Sequence, residues 1–132
     1  MGAEPWSCFT KHDSNLQRAL DRLRDEEFRA GRYRYAEENP SSIEEALEIA
    51  DADGTASILD IERIAPEPDF GCAAPFSAAE MREYFGSERP SRADVERAMD
   101  YWEEMERGQA RYAIVYAGGK PSEIYFAGYS YD

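Results

Sequence analysis

The stretch ARYAIVYAGGKPSEIYFAGYS, residues 110–130, decides the fold class of this 132-residue chain. Two runs rich in Tyr, Ile, Val and Phe flank the turn residues Gly118 and Gly119. β-branched and aromatic residues fit a pleated strand, and a glycine turn between two such runs is typical of a β-hairpin. The sequence therefore predicts a C-terminal β-hairpin.

Helix start signals dominate the rest of the chain. A Ser followed three residues later by Gln or Glu is a capping box, in which the two side chains satisfy free backbone N–H groups at the helix start. Serines predict four helices, which begin at Ser14, Ser42, Ser77 and Ser91, the last ending at Gly108. Residues 6–10 predict an edge strand, and residues 65–76, with three prolines, are predicted to be irregular. The predicted fold is α+β, one domain over residues 1–132, with an antiparallel sheet of three to five strands packed against about four helices.

The charge of the chain excludes several partner classes. The net charge is −13, and residues 36–70 hold eleven acids and one base, Arg63. Such a chain cannot displace counterions from DNA, RNA or anionic membranes as Lys and Arg do, and it favours a basic protein partner. No apolar run approaches the roughly 20 residues that span a bilayer. Two cysteines without a C-x-x-C pair predict a cytoplasmic location, and no cofactor motif is present.

The acids of the second predicted helix and its flanks are candidate partner-binding residues. They are Glu37, Glu38, Glu44, Glu45, Glu48, Asp51 and Asp53. Negative charge at a helix C-terminus opposes the helix dipole, and like charges four residues apart repel, so folding alone gives no reason for this choice. Two readings stay open: a functional acidic face, or an ordinary solvated helix.

Asp51-Ala-Asp-Gly54 resembles part of a calcium loop. In an EF-hand the glycine is the sixth position, which places Asp51 and Asp53 at the third and fifth. The first position is then Ile49, which cannot ligate a hard cation, and the twelfth is Asp60 where a bidentate Glu is usual. We therefore predict no EF-hand and no metal site, and a turn at Gly54 that leads from a helix into a strand. Weak binding of calcium by Asp51 and Asp53 at the surface stays open as an alternative, which calorimetry with calcium would test.

Two further sets of residues carry weaker chemical signals. Cys8, His12 and Asp13 could support nucleophilic catalysis if the histidine activated the thiol. Alternation in the hairpin predicts a tyrosine face, either buried under the helices or exposed as an aromatic ledge for a partner. Its members are Tyr112, Tyr116, Tyr125, Tyr129 and Tyr131.

Four segments of the chain resemble a group of small bacterial proteins of unknown function. They are residues 2–6, 27–33, 57–61 and 126–130. The resemblance covers most of the chain and implies no activity and no site residue. In size, acidity and α+β character the chain is also similar to immunity proteins, which neutralise secreted bacterial toxins, although no motif carries that similarity.

The sequence as a whole predicts a non-enzymatic acidic interaction module, similar to an immunity protein, that binds a basic protein surface. The alternative is a small enzyme or ligand-binding domain that uses Cys8, His12 and Asp13 near a tyrosine-lined pocket.

Overall fold

The computed structural model describes residues 3–132 of the chain. In chain order its elements are β1 (Pro5–Lys11), α1 (Leu16–Ala30), α2 (Ile43–Ala50), β2 (Arg63–Ile64), β3 (Cys72–Pro75), α3 (Ala78–Phe85), α4 (Arg92–Arg97), β4 (Ala110–Ala117) and β5 (Lys120–Tyr129). Short 3₁₀ helices lie at Ala36–Glu38, Asp51–Asp53, Ile58–Asp60 and Asp100–Glu104. None of the helices in this part of the chain combines the length and the apolar character needed to traverse a bilayer.

The five strands form one mixed sheet in the order β1-β5-β4-β3-β2. Both β1 and β4 pair antiparallel with β5, so the predicted α+β class and the C-terminal hairpin are confirmed. β3 runs parallel to β4, and β2 runs parallel to β3, where the sequence predicted an antiparallel sheet. The segment that contains α3 and α4 is the long crossover connection that the parallel pair of β3 and β4 requires.

The strand β3 lies within residues 65–76, which were predicted to be irregular. The prediction was wrong because Cys72, Ala73 and Ala74 are small, apolar and fully buried, and they continue the sheet beside β4. Pro75 is the last residue of the strand, where a missing N–H does not interrupt the ladder. Prolines 66 and 68 lie in the loop that precedes it.

Apolar residues pack on both faces of the sheet. α1 covers the first face, where Leu20 and Leu23 contact a core that includes Ile124 and Phe126 of β5. α3 and α4 cover the second face together with Tyr125 of β5. Alternate residues of β5 therefore supply two separate cores, as the two-residue period of a strand requires.

The fourth predicted helix is shorter than expected. α4 ends at Arg97, since Ala98 has an extended backbone (ψ 137°), and the chain then forms the 3₁₀ turn Asp100–Glu104 instead of continuing to Gly108. The interruption places the Tyr101 side chain in the second core, where its hydroxyl is hydrogen-bonded to that of Tyr125. It also leaves Met99 with 70% of its surface exposed.

Side-chain caps begin the helices near the predicted positions. Both halves of the capping box are present at Ser77, and Ser91 forms a second complete box with Asp94. At α1 the prediction is off by one residue, because Asn15 and not Ser14 accepts the bond from Arg18 N.

Candidate functional site

Residues 36–53 contain seven carboxylates and no Lys or Arg, and we call this segment the acidic excursion. It consists of the 3₁₀ turn Ala36–Glu38, a polar loop, α2, and the 3₁₀ turn Asp51–Asp53. All seven acids predicted to bind a partner belong to it. Only Ala46 and Ala50 of α2 are buried, so the rest of the excursion lies at the surface.

Arg34 closes the base of the acidic excursion. Its backbone N–H donates to the carbonyl of Thr55 at 2.8 Å, which brings the two ends of the excursion together. Its Nη1 donates to the carbonyl oxygens of Asp53 (2.9 Å) and Asp132 (3.1 Å). Its Nη2 lies 3.4 Å from Oε2 of Glu4. One guanidinium group thus ties the excursion to segments from opposite ends of the sequence.

Tyr35 provides a second closure. Its hydroxyl donates to Oδ2 of Asp53 at 2.6 Å. This bond raises the pKa of Tyr35, because loss of the phenolic proton would break it and place two negative charges side by side. Asp53 is therefore one of the seven acids and also part of the structure that holds them.

A buried polar network lies where the chain leaves the acidic excursion. Oδ1 of Asp60 accepts from the backbone N–H and from the hydroxyl of Thr55, both at 2.7 Å, and the Thr55 hydroxyl lies 2.8 Å from that of Ser57. All three residues are buried. Oδ2 of Asp60 has no partner among the described residues, and burial raises the pKa of this carboxyl. The network fixes the base of the excursion to the first core.

The backbone of the acidic excursion and its base departs from local preference. Across the described residues, every non-glycine residue with positive φ lies between positions 35 and 56: Tyr35, Asn39, Asp51 and Ala56. Sparsely populated backbone conformations cost of order 1–3 kcal/mol, persist only where surrounding contacts impose them, and concentrate at functional sites. The path of the excursion is therefore imposed by its closures.

The acids of the excursion have no cationic partner. Within residues 3–132, no Lys, Arg or His nitrogen lies within 4.0 Å of any of the seven carboxylates. Glu45 and Asp53 are half-buried and accept bonds from hydroxyl groups. The remaining five are exposed: Glu37, Glu38, Glu44, Glu48 and Asp51. By contrast, Asp25 and Glu26 of α1 are both paired with arginines.

The dipole of α2 favours only some of the acids in the excursion. Glu44 and Glu45 lie in the first turn of α2, where negative charge is favourable. Glu48 and Asp51 lie at its C-terminal end, where negative charge is unfavourable, and Glu44 and Glu48 repel each other at i,i+4. Helix stability therefore does not explain the acids at the C-terminal end.

Contacts within the chain engage the turn at Asp51–Gly54. The carboxylate of Asp53 binds the Tyr35 hydroxyl, and among residues 3–132 no group of three or more His, Cys, Asp or Glu side chains is arranged to hold a metal ion. Gly54 has φ 73° and ψ 167°, which is a glycine conformation, but it leads into the 3₁₀ turn at 58–60 and not directly into a strand as expected. A strand follows only at Arg63.

The structure separates Cys8, His12 and Asp13. Cys8 lies on β1, and His12 follows four residues later, about 13 Å away at the rise of a strand, whereas a base must lie within about 3 Å of the thiol it activates. Asp13 is bound by Arg18 (2.7 Å) and Arg22 (3.5 Å), and the bond from Arg18 holds its pKa well below the usual range. Cys8 opens onto a cavity of about 190 Å³ on the α1 side of the sheet.

Cys8 is expected to react slowly with thiol reagents. Burial, followed by the nearby Glu27, raises its pKa from 9.0 to about 12 although Arg32 opposes the shift, and only the thiolate is nucleophilic. In a Cys72→Ala variant, which leaves Cys8 as the one thiol, reaction with a chromogenic disulfide at neutral pH should be about a thousandfold slower in the folded than in the urea-unfolded protein. Equal rates in the two states would contradict this description of Cys8.

The five hairpin tyrosines do not share one face. Tyr112 is paired with Phe126 and packs against the first core, whereas Tyr125 is paired with Ala113 and is buried in the second. Tyr129 and Tyr131 are half-buried and contact Trp102 and Phe70. Tyr116 is half-buried beside Arg89. With Tyr125 buried and Tyr112 on the other side of the sheet, an exposed ledge of all five is excluded.

Sequence reasoning missed the residues that hold the acidic excursion in place. Arg34 binds carbonyl groups 19 and 98 positions away, and no local pattern encodes such contacts. Asp60 did carry a signal, because it stands between Leu59 and Ile61 in an otherwise apolar run, which is unusual for an exposed acid.

In comparisons with known proteins, no family model, no curated protein and no solved structure matches this chain.

Proposed function

We propose that the protein is a non-enzymatic interaction module whose acidic excursion binds a basic surface on another protein, in the manner of an immunity protein. The observation that carries this proposal is the set of seven carboxylates without a cationic partner within 4.0 Å, held on a segment whose two ends are closed by Arg34 and Tyr35.

The closure of the excursion supports binding rather than mere solubility. Solubility requires only net charge, whatever the position of the charged groups. Here the backbone carries positive φ at four non-glycine positions within 35–56, and a buried network fixes the base. A segment ordered before binding loses less conformational entropy when it meets its partner, and this makes the affinity higher.

The proposed mode of recognition is electrostatic steering. Clustered charge of one sign raises association rates tenfold to about a thousandfold, and the gain disappears as salt screens the charges. The partner should therefore present Lys and Arg side chains on one face. Salt should act mainly on the association rate and much less on the dissociation rate.

The proposal is tested with a synthetic helical peptide that carries Lys and Arg along one face, immobilised for surface plasmon resonance. The association rate of the wild-type protein should fall steeply as the NaCl concentration rises. A fourfold variant, Glu37→Gln, Glu38→Gln, Glu44→Gln and Glu48→Gln, should associate about tenfold more slowly at low salt, because it loses most of the exposed charge of the excursion. Its stability should be unchanged or slightly raised, since the repulsion between positions 44 and 48 is removed.

A second fourfold variant serves as the matched control. It neutralises four exposed acids outside the excursion: Glu67→Gln, Glu83→Gln, Glu103→Gln and Glu106→Gln. Both variants change the net charge by the same amount, so the control should retain most of the wild-type rate. Equal losses in the two variants would show that total charge acts and that the excursion is not the binding surface. A wild-type association rate independent of salt would also reject the proposal.

A further inference from the structure

β1 forms one edge of the sheet, and its outer side carries free backbone groups. It is seven residues long, whereas the strand at the opposite edge, β2, has only two. A long edge strand presents unpaired N–H and C=O groups that can pair with another chain. The β1 edge is therefore a potential site of strand addition.

The pairing register of β1 with β5 identifies which backbone N–H and C=O groups of β1 point away from the sheet. His12 N donates to Ser122 O, and Ser130 N donates to Glu4 O, so even-numbered residues of β1 are bonded to β5. In an antiparallel ladder the bonding direction alternates, so the backbone groups of residues 5, 7, 9 and 11 point away from the sheet. Among the described residues, no hydrogen bond occupies the N–H or C=O of Ser7 and Phe9.

The outward backbone groups at the two ends of β1 complement each other. Pro5 has no N–H to donate, so only its carbonyl is available outward. Lys11 has the opposite pattern, because its carbonyl already accepts from Nη2 of Arg22 at 2.9 Å and only its N–H is free. The edge thus offers an acceptor at one end, a donor at the other, and complete donor–acceptor pairs at Ser7 and Phe9.

We propose that this edge pairs antiparallel with β1 of a second copy of the chain, about a two-fold axis at Cys8. In this register Ser7 faces the second copy's Phe9 and exchanges two hydrogen bonds with it, and the symmetry repeats the pair. The N–H of Lys11 donates to the second copy's Pro5 carbonyl. Six hydrogen bonds form in total. Every outward N–H and C=O of residues 5, 7, 9 and 11 then has a partner. Pro5 has no N–H to offer the second copy's Lys11 carbonyl, but that carbonyl is already bonded to Arg22. This self-complementarity is what an isologous two-fold interface requires.

Side chains beside the β1 edge also favour pairing with a second copy of the chain. Ser7 and Phe9 line a cavity of about 300 Å³ together with Met99 and Trp102 on the second face of the sheet. Residues directly opposite in a ladder share a face, so the second copy's Phe9 would lie beside exposed Ser7 at the rim of this cavity. Met99, which is 70% exposed, would then be covered in both copies.

Charge makes the dimer distinguishable from the function proposed above. Each copy carries −13, so the two copies repel and added salt should strengthen their association. Binding of a basic partner at the acidic excursion has the opposite salt dependence. The two proposals can therefore fail independently.

The test measures molar mass by sedimentation and light scattering over a range of protein and NaCl concentrations, together with residue-resolved amide exchange. The mass should rise from 15.0 kDa toward twice that value as both concentrations increase. The amides of Ser7, Phe9 and Lys11 should become protected in parallel with the mass. Ser7→Pro removes one outward N–H per copy and leaves the β5 ladder intact, so the dissociation constant should rise about thirtyfold, equivalent to about 2 kcal/mol.

Ser7→Ala is the matched control, because it keeps the N–H and should dimerise as the wild type does. If Ser7→Pro does not fold, Ser7→Lys replaces it, since a charge on each copy close to the axis opposes pairing without changing the backbone. A mass that stays at 15.0 kDa under all conditions would refute the proposal. So would a dimer in which the amides of Ser7 and Phe9 exchange as fast as in the monomer, or one that Ser7→Lys leaves unchanged.

Discussion

Gly54→Ala is expected to lower the free energy of unfolding by about 3 kcal/mol. Gly54 has φ 73° and ψ 167°, a region essentially confined to glycine, which costs another residue roughly 1–3 kcal/mol. A Cβ there would also lie 2.9 Å from the backbone N of Tyr131 and 3.0 Å from Oδ2 of Asp60. The first of these atoms belongs to the backbone and the second to the buried Asp60 carboxyl, so neither can move aside cheaply, and overpacking of this kind costs about 1–3 kcal/mol more. Urea-induced unfolding followed by tryptophan fluorescence measures the change.

Gly71→Ala is a control for positive φ without close contacts. Gly71 has nearly the same φ, 74°, but nothing lies within 4 Å of the added Cβ. Its substitution should therefore cost only the backbone strain, about 1 kcal/mol. If both variants lose the same stability, the close contacts at Gly54 contribute nothing, and the description of a tightly packed base is incorrect.

Asp60→Ala is expected to destabilise the protein by about 3 kcal/mol. The substitution leaves the buried N–H and hydroxyl of Thr55 without their acceptor, and an unsatisfied buried donor costs about 1–3 kcal/mol. Asp60→Asn keeps an oxygen at the position of Oδ1 and changes only the side of the carboxyl that has no partner. It should therefore lose less than half as much stability as the alanine variant. Equal losses in the two variants would mean that the hydrogen bonds to Thr55 do not stabilise the fold.

The asparagine variant should also change the pH dependence of stability. Burial raises the pKa of Asp60 above its ordinary value of 3.8, so the folded state holds the proton more tightly than the unfolded state does. Stability of the wild type therefore falls, relative to Asp60→Asn, as the pH rises from about that ordinary value through the raised pKa. Unfolding curves of both proteins at several pH values test this, and a difference that does not change with pH would show that the pKa of Asp60 is the same in the folded and unfolded states.

Parts of the fold that depend on local chemistry were predictable from the sequence. The hairpin follows from two apolar runs around Gly118 and Gly119, and the helix starts follow from Ser77 and Ser91. The parallel strands were missed because they depend on which segments meet after a crossover. Residues 72–74 have no distinctive pattern of their own and become a strand only beside β4.

The acids of the candidate site could be predicted from the sequence, but the contacts that hold them in place could not. The run of acids between residues 37 and 53 is visible in the sequence, and so is the lack of any base among them. The sequence does not reveal whether arginines elsewhere in the chain neutralise them. In the structure, Arg18 and Arg22 bind Asp13, while Arg34 binds carbonyl groups at the base of the excursion. The tyrosine face was predicted wrongly for a different reason. Alternation within each strand does not reveal the pairing register, and this register places Tyr112 and Tyr125 on different faces of the sheet.

The position of β5 in the sheet has a consequence for biosynthesis. β5 lies between β1 and β4, and it leaves the ribosome after every other strand. During translation β1 therefore has no neighbour on either side until residues 120–129 emerge, and it must be kept from pairing with other nascent chains. Contacts so distant in sequence form slowly, so the pairing of β1 with β5 is expected to be a late step in folding.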